Sequence, residues 1–274
     1  MKIKISLLSL TFCISLIAAG QIGSTKSELT ILGTVHSPTL LVNADTIYSA
    51  IVKTKPDIIL LELDSSFFTK SFQLKEMYDE NEINATVKYL NKNKKCVLRP
   101  FDFEGRNAYR PKMGIQNSDK ILKRIGIMYY TNSLSAASRD IWKRFTDLTD
   151  TIDTISKKDL QTINSIATDN LVCERQFYQY KKLKEIIKSK KEFLNNFDFT
   201  SKGDSITLEE VFNRYAYFEE LRNRTMVENI LKIIKQNPKK RIMVLTGFYH
   251  RDFLLTELKF KEIAYNFIIR EFNQ

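Results

Sequence analysis

Residues 57–63 have the sequence Asp-Ile-Ile-Leu-Leu-Glu-Leu, a nearly continuous apolar run that carries Glu62 close to its end. Such runs are typical of strands that are covered on both faces of a sheet. Residues 29–32, Leu-Thr-Ile-Leu, form a second run of the same kind. Between the two runs, Asn43 can cap a helix that Pro56 ends. The sequence therefore predicts a strand, a helix and a second, parallel strand joined by a right-handed crossover.

Apolar runs of the same type occur further along the chain. A third strand is expected around residues 96–98, and residues 241–245, Arg-Ile-Met-Val-Leu, indicate another strand near the carboxyl terminus. The stretch at about residues 119–237 is helical in pattern and rich in lysine, and no Gly/Pro/Ser-rich linker sets it apart. We therefore predict an α/β fold with a central mixed β-sheet flanked by helices. The stretch at 119–237 is expected to be a long helical insertion between the N- and C-terminal parts of one core.

The composition excludes several classes of protein. Of the 274 residues, 43% are hydrophobic and 27% are charged, which excludes a disordered or low-complexity chain. Lysine and arginine number 43 against 32 acidic residues, giving a formal charge of +11. The lysines occur in helical runs interspersed with acids, and the sequence has no recognised nucleic-acid-binding motif. We expect solvated helix faces and no nucleic-acid partner.

The amino terminus has the pattern of a secretory signal. Lys2 and Lys4 precede the apolar residues 5–19, and the small residues 18–20 (Ala-Ala-Gly) form a cleavage site. The apolar run is shorter than the ~20 residues that span a bilayer, so no transmembrane segment is expected. We predict that residues 1–20 are a signal peptide and that the protein is exported, to the periplasm or the medium.

The remaining residues, 21–274, are expected to form a single domain. A lipid anchor on Cys13 is a less favoured alternative to simple cleavage, because the bulky Phe12 precedes that cysteine. Once the signal is removed, two cysteines remain, Cys96 and Cys173, and two alternatives stay open for them. They either form one disulfide between distant segments or are two buried free thiols.

The two histidines of the chain have the same sequence context. His36 and His250 each follow a glycine by three residues, Gly33 and Gly247, at the carboxyl end of a predicted strand. Ligands of open α/β sheets bind at that edge. A neutral imidazole is a good ligand for borderline divalent metals, and the preceding glycine lets the chain turn tightly so that the ring faces a cleft. This pair of Gly-x-x-His segments is the main candidate for a functional site.

Two imidazole ligands require a carboxylate partner, and Glu62 is the candidate. It lies within an apolar strand at the same expected sheet edge, where an unpaired charge would be strongly unfavourable. The alternative for Glu62 is an ion pair with Arg99 or Arg222. Asp64 shares the face of Glu62 if the strand continues, and would then be a second carboxylate for a metal or for proton transfer.

Four elements, in this order, resemble the TraB/PrgY/GumN/TIKI superfamily. They are the segment that ends at His36, the acidic strand with Glu62, the helical pair Arg222 and Asn223, and the segment that ends at His250. The resemblance covers the two ends of the chain. It implies a mixed α/β core and a metal-dependent protease that trims extracellular peptides, and bacterial members are linked with peptide pheromone shutdown. It also implies that His36, Glu62 and His250 lie in the site and that the other two residues point toward it.

The expected activity is metal-assisted hydrolysis of a peptide or another small polar substrate. His36, His250 and Glu62 would hold one Mn, Co, Zn or Fe ion. The ion lowers the pKa of a coordinated water from ~15.7 toward ~7, and Glu62 would complete the ligand set or take the proton. Arg222 would stabilise the oxyanion, and Asn223 would orient the substrate carbonyl.

Further candidates and alternatives complete the prediction. Gly33, Gly247 and Asp64 belong to the expected site, and Arg106 lies after the third strand, where the superfamily resemblance implies polar site residues; the alternative for that segment is a capped loop. Two histidines and one carboxylate also hold Fe(II) in non-haem oxygenases, although those enzymes have β-helix folds. A non-catalytic binder of peptide, haem or metal is the other alternative. The sequence identifies neither the substrate nor the metal nor the oligomeric state.

Overall fold

A parallel sheet of five strands forms the centre of the computed structural model, which describes residues 25–76 and 78–272. In chain order the strands are β1 (Ser27–Thr34), β2 (Ile58–Leu61), β3 (Val97–Pro100), β4 (Phe197–Phe199), β5 (Ser205–Thr207), β6 (Arg241–Gly247) and β7 (Phe267–Ile269). The central sheet has the order β3-β2-β6-β1-β7, and β4 and β5 form a separate hairpin. The α/β class with flanking helices is confirmed. The sheet itself is parallel in all four of its pairings rather than mixed, because the strands are joined by helices that return the chain to the same end.

The described ranges contain eleven α-helices, some packed on the sheet and others in the insertion. They are α1 (Ala44–Thr54), α2 (Asn81–Lys92), α3 (Arg106–Lys112), α4 (Ser118–Tyr130), α5 (Ala136–Ile155), α6 (Leu160–Ile163), α7 (Ile166–Phe177), α8 (Leu183–Lys188), α9 (Lys191–Asn195), α10 (Leu208–Gln236) and α11 (Phe248–Lys259). A single π-helical turn joins α7 to α8. The predicted first helix begins as expected, with the Asn43 side chain accepting from the backbone N–H groups of Asp45 and Thr46.

The strands alternate between two hydrophobic layers, one on each face of the sheet. In β2, Ile59 and Leu61 face the layer that contains α1 and α2, whereas Ile58 and Leu60 face the layer that contains α10 and α11. The same alternation in β1 and β6 explains why these runs are apolar at nearly every position. Glu62 is the next residue after Leu61 in this alternation, so it lies on the side of the sheet that faces α10.

The predicted helical insertion is present between β3 and β6 and has a hydrophobic core of its own. Trp142, Phe145, Phe193 and Phe212 are among its buried side chains. The helix α10 belongs to both cores: Phe212 near its start packs in the insertion, and Ile230 near its end packs on the sheet. The insertion is therefore joined to the sheet through one continuous helix of 29 residues.

The predicted signal peptide and Cys13 lie outside the described residues. Cys96 and Cys173 are both free thiols, the first half-buried and the second exposed, so they form no disulfide and are not both buried. Burial raises the pKa of the Cys96 thiol to about 12. Within the two described ranges, no helix combines the length and the apolar character that a membrane crossing needs.

Candidate active site

The two Gly-x-x-His segments lie side by side at the carboxyl ends of β1 and β6. The two strands are paired so that Thr34 is opposite Gly247. Each glycine makes room for the other segment. A Cβ atom on Gly247 would lie 3.2 Å from Nε2 of His36, and a Cβ atom on Gly33 would lie 3.0 Å from Cβ and 3.1 Å from Cα of Phe248. The repeated glycine therefore has a packing reason: a side chain at Gly33 would press on the backbone of the second segment, and one at Gly247 would displace the His36 ring.

A buried arginine joins the strand glutamate to a second carboxylate. Nη2 of Arg222 donates to Oε1 of Glu62 at 2.6 Å, while Nε and Nη2 donate to the two oxygens of Asp102, each at 2.8 Å. The three side chains are 8%, 8% and 1% exposed. Of the two ion pairs considered for Glu62, the one with Arg222 is present. Arg99 instead lies over the ring of Phe72.

The other oxygen of Glu62 is also bonded. Oε2 accepts from the Thr246 hydroxyl and from the Gly247 N–H, both at 2.7 Å. Burial by itself raises the pKa of Glu62, but His250 and Arg222 more than reverse this effect, so its pKa lies well below the usual range. The Arg222 guanidinium is permanently charged, whereas a histidine acts in this way only when it is protonated, so Arg222 is the main cause. Glu62 is thus an ionised carboxylate with a weak tendency to take up a proton.

His250 is held between α10 and the ion pair. Its Nδ1 lies 2.6 Å from Oδ1 of Asn223, and its Nε2 lies 3.1 Å from Nη1 of Arg222 and 3.4 Å from Oε1 of Glu62. A guanidinium only donates, so Nε2 accepts and Nδ1 carries the hydrogen toward Asn223. Burial lowers the pKa of His250 below its usual value. His250 is therefore a neutral imidazole of defined tautomer at pH 7.

His36 is the more exposed of the two histidines and has different partners. Its Nδ1 lies 3.1 Å from Oε1 of Glu82, and its side chain is 51% exposed. The hydrogen bond to Glu82 raises the pKa of His36 to about 9. Glu82 is 4% exposed and also accepts from the Thr34 hydroxyl. His36, Glu80 and Glu82 form a group in which one possible metal-ligating atom of each residue lies within 4.8 Å of the other two.

The predicted ligands His36, Glu62 and His250 converge on the same sheet edge but do not form such a group. In the described part of the chain, the set of three close ligands is His36, Glu80 and Glu82. Arg222 is the physical reason, because its guanidinium contacts both Nε2 of His250 and Oε1 of Glu62. An ion bound by those two atoms would face a fixed positive charge at hydrogen-bond distance. The predicted ligand set therefore does not fit a metal ion in this arrangement.

The remaining predicted residues have specific structural partners. The side-chain oxygen of Asn223 is bonded to His250 rather than directed at open space. Asp64 caps the short 3₁₀ turn at residues 65–67, because β2 ends before Glu62 and the strand alternation does not continue to Asp64. Arg106 pairs with Asp102 at 2.9 Å and so extends the charge network around Arg222.

The insertion contacts both histidine segments. The amide of Asn164 accepts from the N–H of Gly33 at 2.6 Å and donates to the carbonyl of Gly33 at 2.8 Å. Gln176 donates to the carbonyl of Tyr249 at 2.6 Å. On the same side, the fully buried Arg251 is paired with Asp169 of α7. The Lys-rich insertion thus holds the backbone of the site in position.

Glu80, Glu82 and Asn164 were not among the predicted site residues. For Glu82 a signal exists: Glu82, Thr86 and Tyr89 follow helical spacing beside the apolar Ile83, and all are buried. A carboxylate on the buried face of a helix needs a partner, which marks it as a candidate.

In comparisons with known proteins, no family model matches the chain, and neither does any curated protein or any solved structure.

Proposed function

We propose that the protein is a hydrolase of peptide or related acyl bonds, with its reaction centre at the carboxyl ends of β1, β2 and β6. The observation that carries the proposal is the environment of His250. One nitrogen of this neutral imidazole is fixed by Asn223, and the other faces the Glu62 carboxylate and the Arg222 guanidinium. A neutral imidazole whose Nδ1–H is fixed by a neighbouring side chain has Nε2 as its proton acceptor, which is the arrangement of a general base.

Each of the surrounding groups has a role in this proposal. His250 accepts the proton of an attacking water at Nε2, once that water takes the place of the Arg222 hydrogen bond. Glu62, 3.4 Å from Nε2, stabilises the imidazolium that forms. The Arg222 guanidinium supplies fixed positive charge near the developing oxyanion, and Asn223 positions the ring. None of these steps needs a metal ion between His250 and Glu62.

The choice of peptides as first substrates rests on the resemblance to the TraB/PrgY/GumN/TIKI superfamily. The exposed His36 and the half-buried Glu80 beside it would face such a substrate. The predicted export would bring the enzyme to extracellular peptides. Small esters are suitable second substrates, because the same base and oxyanion partner act on any acyl carbon.

The test is a hydrolysis screen with one matched pair of variants. The purified chain is incubated with a defined peptide mixture and a set of esters, and products are followed by mass spectrometry. We expect His250→Gln to lower the rate by about 100-fold or more, the usual contribution of a general base. Glu257→Ala, an exposed change on the same helix α11, is expected to leave the rate unchanged. Full activity in His250→Gln would contradict the assignment, and no product from any substrate would favour a binding protein.

A further inference from the structure

We infer that the divalent metal site of this protein is formed by His36, Glu80 and Glu82 at the mouth of the cleft. This differs from the ligand set His36, Glu62 and His250 that the sequence suggests. The inference deepens the proposed function, on which its relevance to hydrolysis rests. Binding of the ion itself can be measured without turnover.

The state of Glu82 is the first observation. This carboxylate is 4% exposed, and its Oε1 is bonded to the Thr34 hydroxyl and to Nδ1 of His36. Its Oε2 is buried and has no hydrogen-bond partner among the described residues. Buried polar atoms are nearly always paired, so an unpaired carboxylate oxygen indicates a missing partner. The side chain lines a small cleft together with His36, Glu62 and Glu80.

The state of Glu80 is the second observation. Glu80 is the residue that precedes the first turn of α2, a position at which a side chain commonly caps the helix. Its carboxylate makes no such capping bond. It instead belongs to the group in which one atom each of Glu80, Glu82 and His36 lies within 4.8 Å of the others. Three such atoms at this separation can close on one ion with small side-chain rotations.

The backbone holds the three residues in place. Asn81, between the two glutamates, donates its N–H to the carbonyl of His36 at 3.0 Å and its side-chain amide to the carbonyl of Val35 at 2.8 Å. These bonds tie the start of α2 directly to the first Gly-x-x-His segment. The Thr34 hydroxyl orients Glu82 from behind, as partners outside the ligand set do in metal sites.

The chemistry of the donors indicates the class of ion. Two carboxylates offset the charge of a divalent cation, and one imidazole, which releases its proton when it becomes a ligand, favours borderline metals such as Mn, Fe, Co or Zn over Ca. The charge balance is better here than at Glu62, whose two oxygens are bonded to Arg222, Thr246 and Gly247. An ion held by these three residues would lower the pKa of a bound water near the same edge of the sheet.

The test compares metal binding in four variants. The full chain is freed of metal with a chelator and titrated calorimetrically with Mn²⁺ and, separately, with Zn²⁺. We expect one ion per chain, with affinity lowered by at least about 10- to 100-fold in Glu80→Gln and in Glu82→Gln. Glu80→Gln is the safer variant, because Glu80 is only half-buried and its loss should not affect folding.

Two controls separate the competing explanations. Asp79→Asn removes a neighbouring exposed acid and should not change the affinity. His250→Gln should also retain the ion, whereas it would lose the ion if His36, Glu62 and His250 were the ligands. The inference would be overturned if His250→Gln lost the ion, if Glu80→Gln and Glu82→Gln retained it, or if the wild type bound no ion. Ion binding without hydrolysis would overturn the proposed function and leave the metal site intact.

Discussion

A methyl group would have different consequences at the two motif glycines. At Gly33 it would meet the Cα and Cβ atoms of Phe248, which cannot move without shifting α11. We expect Gly33→Ala to lower the free energy of unfolding by about 1 to 3 kcal/mol, as overpacking does. At Gly247 it would meet the exposed ring of His36, which can turn away. Gly247→Ala is therefore expected to perturb the site with a smaller loss of stability. Urea unfolding of both variants measures this, and equal losses would contradict the account.

The Arg222 side chain neutralises two buried carboxylates, so its removal should be severe. We expect Arg222→Met to destabilise the protein by about 3 to 5 kcal/mol, because the buried Glu62 would lose its guanidinium partner and Asp102 would keep its pair with Arg106 alone. Arg224→Met is a matched control on the same helix. Arg224 is 66% exposed and pairs with Glu220 at the surface, so its loss should change stability by about 1 kcal/mol or less. Similar losses in the two variants would show that the buried network contributes little.

The low pKa of Glu62 predicts a specific dependence of stability on pH. In the folded state this group binds fewer protons than in the unfolded chain, where its pKa is about 4.5. Its stabilising effect is therefore present above that pH and is lost as the pH falls toward the lower folded value. The difference in unfolding free energy between wild type and Glu62→Gln should shrink between pH 5 and pH 3, measured by urea denaturation. A difference that does not vary with pH would contradict an ionised Glu62.

At the level of the elements, the connection between the short helix α6 and the start of α7 supports the site through Asn164. Asn164 makes two hydrogen bonds to the backbone of Gly33, one as donor and one as acceptor. We expect Asn164→Ala to destabilise the protein by about 1 to 3 kcal/mol, since buried backbone groups lose their partner. Asn170→Ala, an exposed change on α7, is the control and should be neutral. Thermal unfolding monitored by circular dichroism distinguishes the two.

The sequence predicts the strand elements well because their signal is local. The strands that contain Ile31, Leu60 and Val244 are buried on both faces, so nearly all of their consecutive residues are apolar and the pattern can be recognised in the sequence. The placement of both histidines at strand ends follows from the same runs. The sequence does not predict that all sheet pairings are parallel. Their direction depends on where the returning chain inserts between the earlier strands, as β6 does between β1 and β2.

The contacts within the site depend on packing between distant segments and could be predicted only in part. The pair between Glu62 and Arg222 was one of two alternatives, because strand alternation gives the face of Glu62 but not which arginine reaches it. The link from Arg222 to Asp102 joins residues 120 positions apart. The contact of His36 with Glu82 depends on how α2 packs on the sheet, which Asn81 determines through tertiary hydrogen bonds.

For the whole molecule, the sharing of α10 predicts a single unfolding transition. The one tryptophan of the chain, Trp142, is buried in the insertion, so its fluorescence reports on that core alone. Circular dichroism reports on all helices. Because α10 packs in both cores, we expect the two signals to change together in urea, and Ile230→Ala on the sheet side should shift both midpoints equally. Two separate transitions would show that the insertion folds as an independent unit.

The position of β6 also has a consequence for the order of events during synthesis. This strand is the sixth in the described part of the chain, yet it lies between β1 and β2. Until it has left the ribosome, the two earlier strands have no common neighbour, and the residues of the site remain far apart. A nascent or truncated chain that ends before residue 241 therefore has neither a complete sheet nor an assembled site. Such long-range pairing is slow to form, so the onset of any activity should follow the synthesis and insertion of β6.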